Sequence, residues 1–299
     1  MSLWNGFDAP PRPRVSLAGY TTLCIGGEAE WFAEPRSPGE AAALLAAASN
    51  GQCPVRILGG GSNLLVADEG VEGLVLRLGA ERFREVRADA AAGLLHCRAG
   101  VPLGAAIQSA IRNGLAGLEP FAGIPGTVGG AVAMNAGGAH EIGHLVKSIG
   151  GVDRRGRFAQ LARRDLSLGY RRSGLDEILL LDIAFQLVHD ESANIQARLR
   201  ERLSAKEKTQ PLKERSAGCI FRNPPAVSAG RLIEQAGCRG WEEGGAAVSG
   251  LHANFLVNRG GATSREMLRL IERVREAVLR TSGVALELEI KLWPEKNAT

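Results

Sequence analysis

Residues 124–138 read IPGTVGGAVAMNAGG. Five of these fifteen residues are glycine and none is charged, in a chain that is 23% charged. Glycine lets main-chain N–H groups come close to a ligand and enter the left-handed region. Successive N–H groups can then form a concavity that takes an anion. A second uncharged run, GGGSN at 59–63, follows the short strand pattern Val55–Leu58. Ser62, Asn63, Thr127 and Asn135 add neutral hydrogen-bonding groups without filling the space. A pyrophosphate suits such a nest, and the neutral lining suits a flat, neutral ring system. Taken singly, either run also reads as a tight turn. Neither is a P-loop, since no Gly-Lys-Ser/Thr follows, and no G-x-G-x-x-G follows a strand.

Outward from these runs, the pattern alternates between helix and strand. Ser37-Pro38-Gly39-Glu40 predicts a helix start with a capping box, ahead of the apolar run AAALLAAAS. Leu64–Val66, 73–78 and 93–98 read as strands, and 102–113 as a helix stopped by Gly114. Residues 178–188 carry the strongest strand signal. Residues 192–208 predict a charged helix with Ile195, Leu199 and Leu203 on one face. Thr263 caps a long helix, with Glu266 three residues on, Met267, Ile271, Val274 and Val278 facing inward, and Gly283 ending it. Residues 284–293 predict a final strand with Val284, Leu286, Leu288, Ile290 and Leu292 on its apolar face. The fold class is α+β. The length of 299 residues suits two or three domains.

Composition narrows the partners. A net charge of +4, with basic and acidic residues interspersed and only 5% aromatics, argues against a nucleic-acid surface and suits a small anionic ligand. No apolar run reaches the ~18 residues of a membrane span. The start of the chain lacks a basic region followed by an apolar one, so a cytoplasmic protein is expected. Five cysteines (Cys24, Cys53, Cys97, Cys219 and Cys238) show no metal-type or disulfide-framework spacing. The histidines show no metal motif, and no metal is expected.

The order of motifs is specific. IGGEAEWFAEP (25–35) is followed by ILGGGSNLLVAD (57–68), GLEPFAGIPGTVGGAVAMNAGG (117–138), GYRRS (169–173), SAGCIFRNP (216–224), AGRLIEQAG and HANFLVN, and finally LELEIKLW (286–293). This series resembles the UDP-N-acetylenolpyruvoylglucosamine reductase (MurB) family over roughly residues 19–294. The short interval between GYRR and SAGC resembles the family's shorter form, without an inserted tyrosine-bearing loop. The resemblance implies a two-part FAD-binding domain of the vanillyl-alcohol-oxidase (PCMH) type plus an α+β substrate-binding domain. The expected boundaries are 1–79 and 80–196 for the two FAD-binding parts and 210–299 for the substrate domain, the terminal strand packing on either the first part or the substrate domain.

The resemblance also implies the chemistry. A hydride passes from NADPH to non-covalently bound FAD, then to C3 of an enolpyruvyl ether on a UDP-sugar, and C2 receives a proton. Cofactor contacts are expected from Gly59, Gly60, Gly61, Ser62, Asn63, Ile124, Pro125, Gly126, Thr127, Gly129, Gly130, Asn135 and Gly137. Arg171 matches the arginine that binds the substrate carboxylate; read alone, Arg171 and Arg172 are a surface basic pair. Glu289 matches the glutamate that acts with it. Read alone it is equally an exposed strand residue beside Lys291, and Glu287 on the same face competes for the register. Cys219 stands where many members carry a serine that protonates C2. A thiol, with an ordinary pKa of about 8.5, is the stronger acid. Outside the motif it reads as a buried, inert cysteine. Tyr170, Asn223 and Lys208 match substrate-binding positions, Lys208 more loosely. Ser249 and His252–Asn254 receive no chemistry. A carbohydrate oxidase on the same scaffold often holds FAD through His or Cys, which GGGSN lacks; a non-catalytic flavin-binding module would not need the three reactive positions. A monomer is the default expectation.

Overall fold

The computed structural model describes residues 3–138, 140–167 and 169–294. The chain divides into two compact units. The first comprises Met1–Pro13, Trp31–Gly60 and Gly73–Ala205; the second comprises Arg14–Glu30, Gly61–Glu72 and Lys206–Thr299.

The first unit is built on a five-stranded antiparallel sheet. Its order is Phe158–Ala162, Val146–Asp153, Ile178–Gln186, Leu94–Arg98, Val86–Asp89. Strand Ile178–Gln186 is central and nearly all apolar, as a strand covered on both faces must be. Val55–Leu58 pairs in parallel with Leu74–Arg77. Helix α1 (Pro38–Asn50) buries Ala41, Leu44, Leu45 and Ala48. Its start departs from the expected capping box. Ser37 Oγ accepts from Glu40 N at 3.2 Å, but the Glu40 carboxylate accepts from Arg36 N at 2.7 Å, one residue too early to close the box. Helix α2 (Leu103–Arg112) presents Leu103, Ala106, Ile107, Ala110 and Ile111 to the same core. The proline-rich start packs on the first unit: Trp4 is buried and lies edge-on against Trp31. Met1 and Ser2 of that stretch lie outside the described residues.

Two features of this unit were not legible. Strands Val146–Asp153 and Phe158–Ala162 carry weak patterns, the first broken by Gly150 and Gly151. The uncharged stretch also contains a short helix, α3 (Val128–Ala133), despite its two glycines. The Thr127 side chain caps it by accepting from Gly130 N at 3.1 Å. Helix α4 (Ser192–Thr209) buries Ile195 and Leu199, and the chain leaves the first unit within it. Buried Glu119 accepts from Gly117 N at 2.7 Å and from Arg198 of α4 at 2.9 Å.

The second unit has a four-stranded antiparallel sheet, ordered Arg215–Cys219, Phe255–Asn258, Ala246–Val248, Glu242–Glu243. Helices α5 (Ala229–Gln235) and α6 (Ser264–Ser282) pack against its core. On α6 the expected capping box is present, Thr263 accepting from Glu266 N at 3.2 Å and Glu266 from Thr263 N at 3.0 Å. Gly283 ends it at φ +70°. Met267, Ile271, Val274 and Val278 are fully buried, each worth roughly 1.5–3 kcal/mol of burial. Strand Lys291–Trp293 lies parallel to Leu64–Val66. The expected strand over 284–293 is therefore shorter. Residues 284–290 keep alternating burial at Leu286 and Ile290 but make only an isolated bridge, Leu288 to Phe221.

Candidate functional site

In the first unit the two glycine-rich runs meet. A Cβ on Gly60 would lie 2.5 Å from Gly126 Cα, and one on Gly59 would lie 3.2 Å from Thr127 Oγ1. Only glycine permits the first approach. Ile124, Gly126, Thr127, Gly130 and Gly137 are partly exposed there, Pro125 is exposed and Gly129 buried. The first N–H groups of α3 are already committed: Val128 N donates to Val101 O at 2.8 Å and Gly129 N to Ala99 O at 2.9 Å. An anion at these loops must therefore be met by other donors.

Residues 169–173 are pinned onto the end of the same stretch. Buried Asn135 donates to Gly169 O at 2.9 Å and to Glu141 Oε2 at 2.8 Å, and accepts from Gly143 N at 3.0 Å. Ser173 Oγ donates to Ala133 O at 2.7 Å. Gly169 and Arg172 exchange two main-chain bonds, closing a tight loop. At its tip Arg171 has φ +56°, an outlier for a bulky side chain, and its guanidinium donates to Gly137 O. The guanidinium also lies 5.3 Å from the Tyr170 ring centre. Arg171 is thus aimed by its surroundings and is not a free surface cation, while Tyr170 is exposed.

The second unit gathers another set. Strand Arg215–Cys219 bulges between Ser216 and Cys219, where Gly218 has φ +76°. Beyond it, Glu289 N donates to Ile220 O at 2.8 Å and Arg222 N to Glu287 O at 2.9 Å. Cys219 and Glu289 therefore stand on adjoining segments, both half-buried. The register separates the two glutamates. Glu287 is exposed, with Arg222 3.7 Å away, whereas Glu289 is less exposed and its carbonyl accepts from Asn63 Nδ2 at 3.3 Å. Asn63 O in turn accepts from Lys291 N at 3.0 Å. Gly61 has φ +64°, and a Cβ there would strike Tyr20 O. Ser62 is partly exposed beside it. Asn223 is exposed and accepts from Ala229 N at 3.0 Å, at the start of α5. Lys208 is exposed in the last turn of α4.

Sequence reasoning missed several residues that hold this arrangement. Thr22 Oγ1 donates to Ser216 O at 2.6 Å, linking the turn near GGGSN to the cysteine strand. Asn254 and Asn258 are both buried and fully engaged, Asn258 donating to Leu23 O at 2.8 Å. The available signal was two polar residues inside the buried run HANFLVN, since buried polar groups are kept for their hydrogen bonds.

Comparisons with known proteins agree with this layout. A family model described as "FAD binding domain" matches residues 29–161. Another, "UDP-N-acetylenolpyruvoylglucosamine reductase, C-terminal domain", matches 210–293. The UDP-N-acetylenolpyruvoylglucosamine reductase of Moorella thermoacetica is 44% identical over 93% of this chain and 92% of its own length. That numbered 2 in Symbiobacterium thermophilum is 41% identical over 93% and 90%. The crystal structure of the Thermus caldophilus enzyme (MurB) superposes with a TM-score of 0.82 at 39% identity, over 95% of this chain and all of that one. With the glycine-rich loops, the Arg171 loop and the Cys219–Glu289 segments in the order the motifs require, and with identity of this extent along nearly the whole length, the chain belongs to the UDP-N-acetylenolpyruvoylglucosamine reductase family.

Proposed function

We propose that the chain reduces UDP-N-acetylenolpyruvylglucosamine to UDP-N-acetylmuramate for peptidoglycan precursor synthesis, with FAD as cofactor and NADPH as co-substrate. The observation that carries this reading is the main-chain bond from Glu289 to Ile220, which sets the segment that carries Glu289 beside the one that carries Cys219.

The residues present fit FAD. Gly59 and Gly60 meet Gly126 and Thr127 with no bulky side chain between, and the donor set of backbone, serine, threonine and asparagine is neutral. Gly59–Asn63 and the loop from Ile124 to Gly137 would hold it. When bound, FAD supplies a hydride, taken from NADPH, to C3 of the enolpyruvyl group.

The chain's own residues manage the charge and the proton. Arg171 offers paired N–H donors to the substrate carboxylate, a charge-assisted contact stronger than a neutral one. Glu289, carrying its proton, donates a strong hydrogen bond to the same carboxylate as negative charge builds there, the electrostatic assistance that contributes most in enclosed sites. Cys219 donates its thiol proton to C2 and takes another from solvent before the next turnover. Tyr170, Asn223 and Lys208 contact the UDP-sugar. In the arrangement proposed, 1–79 and 80–196 form the FAD-binding parts and 210–299 the substrate domain; the matches over 29–161 and 210–293 support an FAD-binding region followed by a substrate domain. The protein acts as a cytoplasmic monomer that binds no nucleic acid; among the described residues no helix is long and apolar enough to cross a membrane.

The test is NADPH consumption by flavin-loaded protein under anaerobic conditions, with and without the sugar nucleotide. Turnover that requires the sugar nucleotide is expected. A single stoichiometric flavin reduction, unchanged by adding it, would refute the reading.

A further inference from the structure

We infer that Asn254 is a positioning residue for proton delivery: its side-chain amide fixes where Cys219 stands against Glu289. This rests on the reading of Cys219 as the donor.

The strand carrying Cys219 keeps its neighbour only as far as the cysteine, where Cys219 pairs with Phe255. Beyond that point the neighbouring chain turns away, Phe255 N donating back to His252 O at 2.9 Å. Ile220 N still finds Asn254 O at 2.9 Å. Phe221, fully buried, has no strand left to pair with on that side. The Asn254 side chain takes over. Its Oδ1 accepts from Phe221 N at 2.9 Å and its Nδ2 donates to Phe221 O at 2.8 Å. One amide thus satisfies both main-chain groups of one residue and stands in for a missing peptide. Asn254 is 1% exposed, so neither group of Phe221 could turn to water instead.

The opposite edge of the same three residues receives the glutamate segment. Ile220 O accepts from Glu289 N, Arg222 N donates to Glu287 O, and Phe221 bridges Leu288. Residues 220–222 are therefore held between Asn254 on one side and 287–289 on the other. In extended chain a slip of one residue turns every side chain to the opposite face. Such a slip would present Leu288 in place of Glu289. Asn254 removes that freedom at Phe221, two residues from the thiol. Asn254 is itself held, its N–H donating to His252 Nδ1 at 3.2 Å.

The test is Asn254→Asp in the FAD-loaded protein. The carboxylate keeps an acceptor for Phe221 N but presents an oxygen to Phe221 O. Stopped-flow measurement under anaerobic conditions should find flavin reduction by NADPH within about twofold of wild type and reoxidation by UDP-N-acetylenolpyruvylglucosamine slowed about 10- to 100-fold, the scale of a small misplacement of reacting groups. Lowering the pH should restore reoxidation, because a protonated Asp can again donate to Phe221 O. Asn254→Ser should show the same asymmetry and serves if the aspartate variant does not accumulate. Val257→Ala, which opens a cavity at a fully buried position of the neighbouring strand Phe255–Asn258, should leave both half-reactions at wild-type rates per flavin. In a Cys219→Ala background, Asn254→Asp should slow reoxidation by less than about threefold further, since coupled positions are not additive. Equal slowing of both half-reactions, wild-type reoxidation, or an equal loss in Val257→Ala would overturn the inference while leaving the proposed reaction intact. Wild-type flavin that is reduced by NADPH but not reoxidised by the sugar nucleotide would overturn both.

Discussion

Glu289 donates its main-chain N–H to the carbonyl of Ile220 at 2.8 Å, so its carboxyl group is carried by a segment locked one residue from Cys219. Glu287 shares the strand parity but is exposed and faces Arg222. Glu289→Gln should lower kcat about 100- to 1,000-fold, the usual cost of losing one electrostatic stabiliser. Glu287→Gln should stay within about threefold of wild type. Steady-state kinetics on both variants decides between the two registers; equal losses would reject Glu289 as the acting residue.

Cys219 gives a cleaner separation of the two half-reactions. Cys219→Ala should still be reduced by NADPH but lose about 100- to 10,000-fold in reoxidation by substrate, the span of general-acid contributions. Cys219→Ser should retain appreciable activity with a displaced alkaline limb in its pH profile. Wild-type rates in both half-reactions of the alanine variant would remove the donor assignment.

Gly60→Ala should damage cofactor retention. The new methyl group would sit 2.5 Å from Gly126 Cα, and its three nearest atoms are all Gly126 backbone, which yields little. Overpacking of this kind costs about 1–3 kcal/mol. The purified variant should carry less flavin per chain and melt at a lower temperature. Full flavin occupancy with an unchanged Tm would show that the close approach is not needed.

His252 makes stability depend on pH. Burial holds its imidazolium form off and outweighs an opposing main-chain bond, with Arg239 adding to the burial effect and Glu234 opposing it, so its pKa lies below the ordinary value of 6.5. The unfolded chain then takes up the proton at higher pH than the folded one. The stability contributed by neutral His252 is full above about 6.5 and is lost as pH falls through the folded-state value. Protonation at Nδ1 would also remove the acceptor for Asn254 N. Urea midpoints should fall between pH 7.5 and 5, and the fall should be smaller in His252→Gln. An identical slope in both proteins would assign the pH dependence to other groups.

Much of the fold could be read because its signals are local. The Thr263–Glu266 box, the Gly283 stop and the inward face of α6 all lie within a few turns of helix, and the structure reproduces them. Short strands with plain apolar patterns, such as Val55–Leu58 and Leu64–Val66, were equally visible. The misses share one cause, which is support from distant residues. Helix α3 survives its glycines because Val101 and Ala99 accept its first N–H groups. Residues 284–290 alternate like a strand, yet their partners are Ile220, Phe221, Arg222 and Asn63, none of which a pattern within ten residues can supply. The site shows the same division. Motif positions such as Arg171, Cys219 and Glu289 could be named, but the left-handed turn that aims Arg171 and the amide that holds Phe221 could not.

The parallel pairing of Lys291–Trp293 with Leu64–Val66 bears on how the protein is made. Translation proceeds at roughly 5–20 residues per second, so about 10–45 seconds separate the appearance of the two strands. The segments of the first unit end at Ala205, and that unit can close while the ribosome is still at work. The second unit cannot, because Leu64–Val66 waits for a partner made more than two hundred residues later. Throughout that interval a short apolar strand edge stands uncovered. A nascent chain stalled in this window is the form most exposed to proteases and most in need of a chaperone.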